Sequence, residues 1–136
     1  MRAFCCPVAA LLFATTIALP AQSADLPDLA RVHAAQAGLS SYHDVLSDMS
    51  CDAPTLTAHR LMCEDDALWQ MGLLDTWAWV YAVENATGTE TDHSDPPLDD
   101  FFIEARDACT DRACLVELLV NHTNGSLGGT SPYEVE

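Results

Sequence analysis

The sequence predicts an all-α fold, a small helical bundle braced by disulfides. Apolar residues recur at helical spacing in every long segment after the first 23 residues, and strand-like alternation is confined to short stretches. Four cysteines remain outside the N-terminal apolar segment, and a core this small gains needed stability from such cross-links. The length of 136 residues fits a single domain.

The N-terminus is typical of a secretory signal peptide. Arg2 precedes an apolar run, which Pro20 and the small-residue site at 21–23 close. A membrane anchor is the alternative, but about 16 apolar residues fall short of the roughly 20 needed to span a bilayer. We therefore expect cleavage after Ser23, a periplasmic or secreted location, and no transmembrane anchor after processing.

The composition is strongly acidic. Asp and Glu number 21 against five basic residues, all of them Arg, and the formal net charge is −16. Removal of the first 23 of 136 residues takes Arg2 away and leaves 113 residues with a charge of −17. Such a charge repels phosphate backbones, which excludes nucleic-acid binding. It serves solubility, and it also suits the capture of a cationic partner.

The mature chain would carry Cys51, Cys63, Cys109 and Cys114. An even number of cysteines in a short exported chain predicts two disulfides, with three possible connectivities. A zinc site is the alternative. Structural zinc sites usually place two to four residues between paired ligands, whereas eleven residues separate the first pair here and four the second. We therefore expect disulfides and no metal site.

Turn and capping residues define the first helices. A weak helix is expected from Pro27 to Gln36, with Gly38 as its terminator. Ser40 or Ser41 can cap a second helix. Its apolar face would comprise Tyr42, Val45, Leu46 and Met49. After a turn at 53–54, a short helix would carry Leu56, Leu61 and Met62.

The strongest helical pattern covers residues 66–85. Asp65 or Asp66 can cap this helix and would sit favourably at the positive end of its dipole. Its main apolar stripe comprises Trp69, Leu73, Trp77 and Val80. The charged residue Asp75 in the middle of this helix argues against a membrane-spanning segment. We interpret the helix as the core of the bundle, with an aromatic ligand-binding platform as the alternative.

Residues 85–97 form a loop of thirteen residues, long enough to be functional or mobile. Asp95 can cap the next helix, with Pro96 or Pro97 in its first turn. The apolar face of that helix, which would run to about Cys109, comprises Leu98, Phe101, Phe102 and Ala105. A last helix would present Leu115, Leu118, Leu119 and His122 on one face. Asn124-Gly125 is its expected stop.

The motifs of enzymes are missing from the sequence. It contains no His-Glu-x-x-His, nucleophile elbow or glycine-rich phosphate loop, and no Cys-x-x-Cys. We interpret His122, on an apolar face, as a core histidine. The segment Asp92–Asp95 is the best candidate for a metal, but it lacks the spacing of a calcium loop and is interpreted as a solvated acidic loop. We expect no catalytic residue, no cofactor and no metal.

The cysteine frame resembles a known family. The predicted long helix, with its late aromatic stretch, is preceded by the string Cys51-x11-Cys63-Glu-Asp-Asp-Ala-Leu68. It is followed by the string Phe102-x3-Arg106-Asp107-Ala-Cys109-x4-Cys114-Leu115. This arrangement resembles the lysozyme inhibitor LprI-like family of exported bacterial proteins over about residues 50–122. The sequence departs from the family pattern at three points. Gly72 stands where the family usually has Asp, and Trp79 or Tyr81 stands where it has Tyr. Phe101-Phe102 stands where it has Trp-Leu.

Within this frame, two cysteine pairs at helix junctions most simply suggest local disulfides, Cys51–Cys63 and Cys109–Cys114. Arg106 and Asp107 belong to the shared string, and we interpret Arg106 as an ion pair that ties helices together. The expected organisation is a signal peptide (1–23), an N-terminal helical segment (24–49), an LprI-like helical domain (50–124) and a flexible tail (125–136).

The resemblance implies inhibition of lysozyme, a basic enzyme that cleaves peptidoglycan with two carboxylates, or of another basic muramidase. An acidic surface would steer onto such an enzyme, and loop 85–97 would plug its cleft. The residues expected to make the contact are Glu90, Asp92, His93, Ser94, Asp95, Asp99 and Asp100. The alternative is a non-catalytic envelope module that binds a partner or self-associates through the aromatic helix 66–85.

Overall fold

The computed structural model describes residues 28–128 and 132–133. The predicted signal peptide, residues 1–23, lies outside them. The described residues contain no strand, and their elements are α1 (Leu29–Gly38), a 3₁₀ turn (Ser40–Tyr42), α2 (Thr57–Glu64), α3 (Asp66–Thr87), α4 (Asp100–Asp107) and α5 (Arg112–Ser126). Disulfides join Cys51 to Cys63 and Cys109 to Cys114. The predicted all-α class with two local disulfides is confirmed.

The long helix α3 lies at the centre of the bundle and packs against α1, α2 and α5. Its buried residues lie mainly along one face, at helical spacing from Leu68 to Ala78, and Val80 lies on the opposite side. This face differs from the predicted stripe. Of the predicted stripe, Val80 is buried, whereas Trp69 and Trp77 are only partly buried at the edge of the core. The buried residues of α3 are Leu68, Met71, Leu74, Asp75, Ala78 and Val80.

Local signals set both ends of α3. The carboxylate of Asp65 accepts hydrogen bonds from the backbone N–H groups of Ala67 and Leu68, at 3.0 and 3.3 Å. At the other end, Gly88 adopts a left-handed conformation with φ of 67°, and its N–H donates to the carbonyl of Glu84. Glycine takes this conformation at little steric cost. The prediction of a long helix capped at Asp65 is confirmed.

The predicted second helix is wrong: beyond the 3₁₀ turn Ser40–Tyr42, residues 43–56 are irregular. Polar side chains in this segment make other bonds instead. The hydroxyl of Ser47 accepts from the backbone N–H of Met49, at 3.1 Å, and Asp48 pairs with Arg106 of α4. Side-chain hydrogen bonds of this kind compete with helical hydrogen bonding. The conformation of segment 43–56 is therefore set by these contacts and not by the spacing of its apolar residues.

Residues on both sides of the expected boundary at 49/50 share one hydrophobic core. Val32 of α1 is fully buried in the same cluster as Leu74 of α3 and Leu119 of α5. The described part of segment 24–49 is therefore one folded unit with residues 50–124. Helix α5 runs one residue past the expected stop at 124–125, and Tyr133 of the expected flexible tail packs against the core.

Candidate functional site

The loop between α3 and α4, residues 88–99, holds most of the residues expected to contact a partner. Its first half is fixed by Glu84, near the end of α3. One carboxylate oxygen of Glu84 accepts from the backbone N–H and the hydroxyl of Thr91, at 2.7 and 3.0 Å. The other oxygen accepts from the hydroxyl of Tyr42, at 2.8 Å. Loop and helix are thus joined through one carboxylate.

Two further contacts fix the middle and the end of the loop. Nδ1 of His93 lies 2.7 Å from the carboxylate of Asp44, and the carbonyl of His93 accepts from the N–H of Leu46 at 3.0 Å. Near the end, the indole N–H of Trp79 donates to the carbonyl of Pro97 at 3.1 Å. The loop is therefore held against both the bundle and the irregular segment 43–56.

A tight turn presents the acidic tip of the loop. The carboxylate of Asp92 accepts from the backbone N–H and the hydroxyl of Ser94, at 2.9 and 2.7 Å, and the N–H of Asp95 donates to the carbonyl of Asp92. Asp commonly closes a turn in this way. The hydrogen bonds from Ser94 lower the pKa of Asp92. The tip therefore keeps its charge well below neutral pH.

The structure divides the expected contact residues into two groups. His93 and Asp99 are half-buried and bonded to the protein itself, His93 to Asp44 and Asp99 to His122. These two position the loop and α4 rather than face a partner. The exposed group comprises Glu90, Asp92, Ser94, Asp95 and Asp100.

The predicted start of α4 is wrong. Asp95 does not cap the helix, because it belongs to the turn that begins at Asp92. Asp99 is the cap instead, and its carboxylate accepts from the N–H of Phe102 at 3.0 Å. The residues before Asp99 lie outside α4, and the carbonyl of Pro97 among them accepts a hydrogen bond from the indole N–H of Trp79.

The apolar face predicted for α4 is confirmed only at Phe102, which packs against the core. Phe101 and Leu98 point outward, with 88% and 53% of their surface exposed, and Ala105 is also exposed. Arg106 faces the bundle with Phe102. An exposed aromatic ring therefore lies at the junction of the acidic loop and α4.

A histidine lies between two carboxylates beneath the start of α4. Nδ1 of His122 is 2.9 Å from both oxygens of Asp75, and its Nε2 is 3.2 Å from Asp99. Asp75 is only 2% exposed and also accepts from the hydroxyl of Thr123, at 2.8 Å. This cluster joins α3, α5 and the cap of α4.

The two carboxylates favour the protonated ring. Burial alone would lower the pKa of His122, but the hydrogen bonds and charges of Asp75 and Asp99 outweigh burial and raise it. Burial raises the pKa of Asp75, and its contacts with His122 oppose that rise. The ring of Phe102 stacks on the imidazole, with centroids 4.0 Å apart. Because both ring nitrogens face carboxylates, neither is available as a general base.

The Arg106-Asp107 string forms a second buried cluster. Arg106, 4% exposed, binds Asp48 through two hydrogen bonds of 2.9 and 2.7 Å and also donates to Asp107 at 2.9 Å. Asp107 in turn lies 2.8 Å from Nε2 of His59 on α2. The string therefore ties α4 to α2 and to segment 43–56, in a bidentate geometry that Arg provides.

The role of Asp75 was not predicted from the sequence. A carboxylate within an apolar helix needs a buried partner. A histidine on the apolar face of another helix likewise indicates a buried polar contact. The two residues lie 47 positions apart, so a single sequence does not pair them. Across residues 28–128 and 132–133, no group of three or more His, Cys, Asp or Glu is arranged to hold a metal ion.

Gly72 is a departure from the family pattern that packing explains. A Cβ atom at this position would lie 2.5 Å from Cε of Met62 on α2. The aspartate usual in the family therefore does not fit here without displacing Met62. The terminal methyl group of Met62 therefore occupies the space that a side chain at position 72 would fill.

Comparisons with known proteins return no matching family model, no matching curated protein and no matching solved structure. The resemblance to the LprI-like family stays a prediction. It is carried by the cysteine frame and by the Arg106-Asp107 string.

Proposed function

We propose that the protein is an exported inhibitor of lysozyme, or of another basic muramidase, that docks through an acidic surface. The proposed activity, inhibition of lysozyme, is the one that the resemblance to the LprI-like family implies. The observation that carries the proposal is a set of exposed carboxylates on an anchored loop, together with the first residue of α4: Glu90, Asp92, Asp95 and Asp100.

Two of the arginines do little to neutralise this surface. Arg106 is buried in its pairs with Asp48 and Asp107. Arg112 pairs with Asp65 at 2.8 Å, at the start of α3 and far from the loop. With these two arginines paired elsewhere and a net charge of −16, we expect the field around the loop to be negative. Such a field speeds the encounter with a basic enzyme and disfavours acidic partners.

The anchoring of the loop favours tight binding. A loop that must be ordered on binding spends part of its interaction energy on that ordering. Here Glu84 and Asp44 already hold the loop through Thr91 and His93. The carboxylates at its tip are thus presented in one arrangement before a partner arrives.

Export agrees with the two disulfides, because such bonds persist in oxidising compartments. The predicted signal peptide supplies the route. Among the described helices, none combines the length and apolarity needed to cross a bilayer.

The alternative, an envelope module that uses the aromatic helix, finds less support. Trp69 and Trp77 pack against the core, and the indole N–H of Trp79 is bonded to Pro97. These indoles are half-buried. Less aromatic surface is left for a partner than that alternative needs.

A cell-wall clearing assay tests the proposal. The purified mature protein is titrated against c-type, g-type and i-type lysozymes at low and moderate salt. We expect inhibition near stoichiometric amounts, weaker at the higher salt because ions screen exposed charges. Absence of inhibition of all three at both salts, at stoichiometric excess, would overturn the proposal.

Matched charge variants test the role of the loop. Asp92→Asn with Asp95→Asn should weaken inhibition. The control is Glu64→Gln with Asp66→Asn, which removes the same charge from exposed positions at the opposite end of α3. The loop is held against α3 at Trp79 and Glu84, so the two sites lie about 20–27 Å apart along the helix. An equal loss of inhibition in both double variants would show that net charge, and not the loop, is responsible.

A further inference from the structure

The most exposed large apolar side chain in the described residues is Phe101. It is 88% exposed, and Leu98, three residues earlier, is 53% exposed. A single exposed apolar residue is ordinary. Here two of them lie three residues apart, on either side of the cap of α4, and we call them together the Phe101 patch (Leu98 and Phe101).

The backbone beneath the Phe101 patch is fixed. Asp99 caps α4 between the two residues of the patch. On one side Pro97 is held by the indole of Trp79, and on the other Phe102 is stacked on His122. Because the backbone is already ordered, Phe101 would lose only the freedom of its own side chain on binding, and aromatic residues are enriched among those that dominate interface energies.

Carboxylates surround the patch. Asp100 precedes Phe101 directly, Glu104 lies one helical turn further along α4, and Asp95 lies three residues before Leu98; all three carboxylates are exposed. A second copy of the chain would bring these like charges face to face. A cationic surface complements them. The charge pattern therefore favours a basic partner over self-association.

We propose that Phe101, with Leu98 beside it, is the apolar anchor of the inhibitor and inserts into the concave cleft of the basic muramidase. The flanking carboxylates pair with Arg and Lys side chains at the rim of that cleft. This inference rests on the proposed function. It adds to it the residue that holds the complex together once the charges have brought the partners into contact.

The two parts of the surface are expected to act on different rate constants. Rim charges mainly change the association rate and its salt dependence, whereas a buried anchor mainly changes the dissociation rate. Loss of Phe101 should therefore speed dissociation at every salt concentration. Loss of the acids should slow association, most strongly at low salt.

Surface plasmon resonance on immobilised c-type, g-type and i-type lysozymes tests this division. We expect Phe101→Ala to speed dissociation at least about 10-fold and to leave association nearly unchanged. Asp95→Asn with Asp100→Asn should show the opposite pattern. Leu56→Ala, at an exposed apolar residue before α2, is the control and should bind as the unsubstituted protein does. Circular dichroism and Tm verify that each variant is folded.

The outcomes separate the anchor from the function. Unchanged dissociation of Phe101→Ala overturns the anchor and leaves inhibition standing. No binding of any lysozyme by the unsubstituted protein overturns both. Sedimentation of the free protein adds a third outcome: a dimer that Phe101→Ala abolishes would assign the patch to self-association and overturn the anchor.

Discussion

His122 binds both carboxylate oxygens of Asp75 at 2.9 Å, which joins α5 to the centre of α3. The same ring reaches Asp99, the cap of α4, at 3.2 Å. Asp99 lies between Leu98 and Phe101. The buried pair therefore supports the segment that carries the proposed docking surface, and its removal should affect both stability and binding.

His122→Ala should destabilise the fold by about 3 kcal/mol, because it leaves the buried carboxylate of Asp75 without its charged partner. Urea unfolding followed by circular dichroism measures the loss. The control is the double variant Asp75→Leu with His122→Leu, which removes both charges and should lose less than the single variant. A loss below about 1 kcal/mol in His122→Ala would contradict a stabilising pair.

The pH dependence of stability should carry the signature of His122. Its pKa is raised in the folded protein, so its contribution is complete below the unfolded value of about 6.5 and is lost as the pH rises through the folded pKa. Tm measured from pH 5 to 9 should decline on the alkaline side. His122→Ala should lack that decline. Parallel curves for the two proteins would assign the decline to other groups.

Glu84 should control both Tyr42 and the loop. Burial, and next the hydrogen bond to Glu84, raises the pKa of Tyr42 to about 12. In Glu84→Ala we expect this pKa to fall toward the ordinary value of about 10, as followed by NMR of labelled tyrosine rings. Hydrogen exchange at Thr91 and His93 should quicken. Glu117→Ala, at an exposed position of α5, is the control, and exchange as fast in the control would show that Glu84 does not hold the loop.

Two glycine substitutions should differ in size. At Gly72 a Cβ would lie against the terminal methyl group of Met62, whereas at Gly125 of α5 nothing lies within 4 Å of the added atom. Gly125→Ala should stabilise the protein by up to about 1 kcal/mol through helix propensity. Gly72→Ala should gain less, because the methyl group of the buried Met62 must move aside. Equal stabilisation of the two variants by urea unfolding would show that Met62 moves aside without cost.

The parts of the fold that follow from local signals were predictable. Asp65, one of the two expected caps, begins α3 through bonds to backbone groups two and three residues away. At the other end, Gly88 lets the helix run to Thr87, two residues past the expected end at 85. Cysteine pairs at short separations likewise predict local disulfides. In each case the partner lies close in sequence, so the pattern and the structure agree.

The parts that depend on distant partners were not predictable. Segment 43–56 has an apolar spacing that suits a helix, but Asp44 and Asp48 bond to His93 and Arg106 instead. Asp95 was the expected cap of α4, but Asp99 holds that position and also contacts His122, 23 residues away.

The candidate site was predictable only in its acidic part. Composition alone marks the exposed carboxylates of the loop. The exposure of Phe101 depends on which face of α4 meets the bundle. Phe102 stacks on His122 and Arg106 pairs with Asp48, so these two side chains face the bundle. The sequence pattern placed the ring of Phe101 in the core, whereas these distant contacts leave it at the surface.

Mapping the contact by NMR tests the central claim most directly. The ¹⁵N-labelled mature protein is titrated with a lysozyme that it inhibits, and backbone amide shifts are followed residue by residue. We expect the largest changes between Glu90 and Glu104, and none in α2 or the first turns of α3. Changes centred on α2, or no changes at equimolar lysozyme, would contradict docking through the acidic loop and the Phe101 patch.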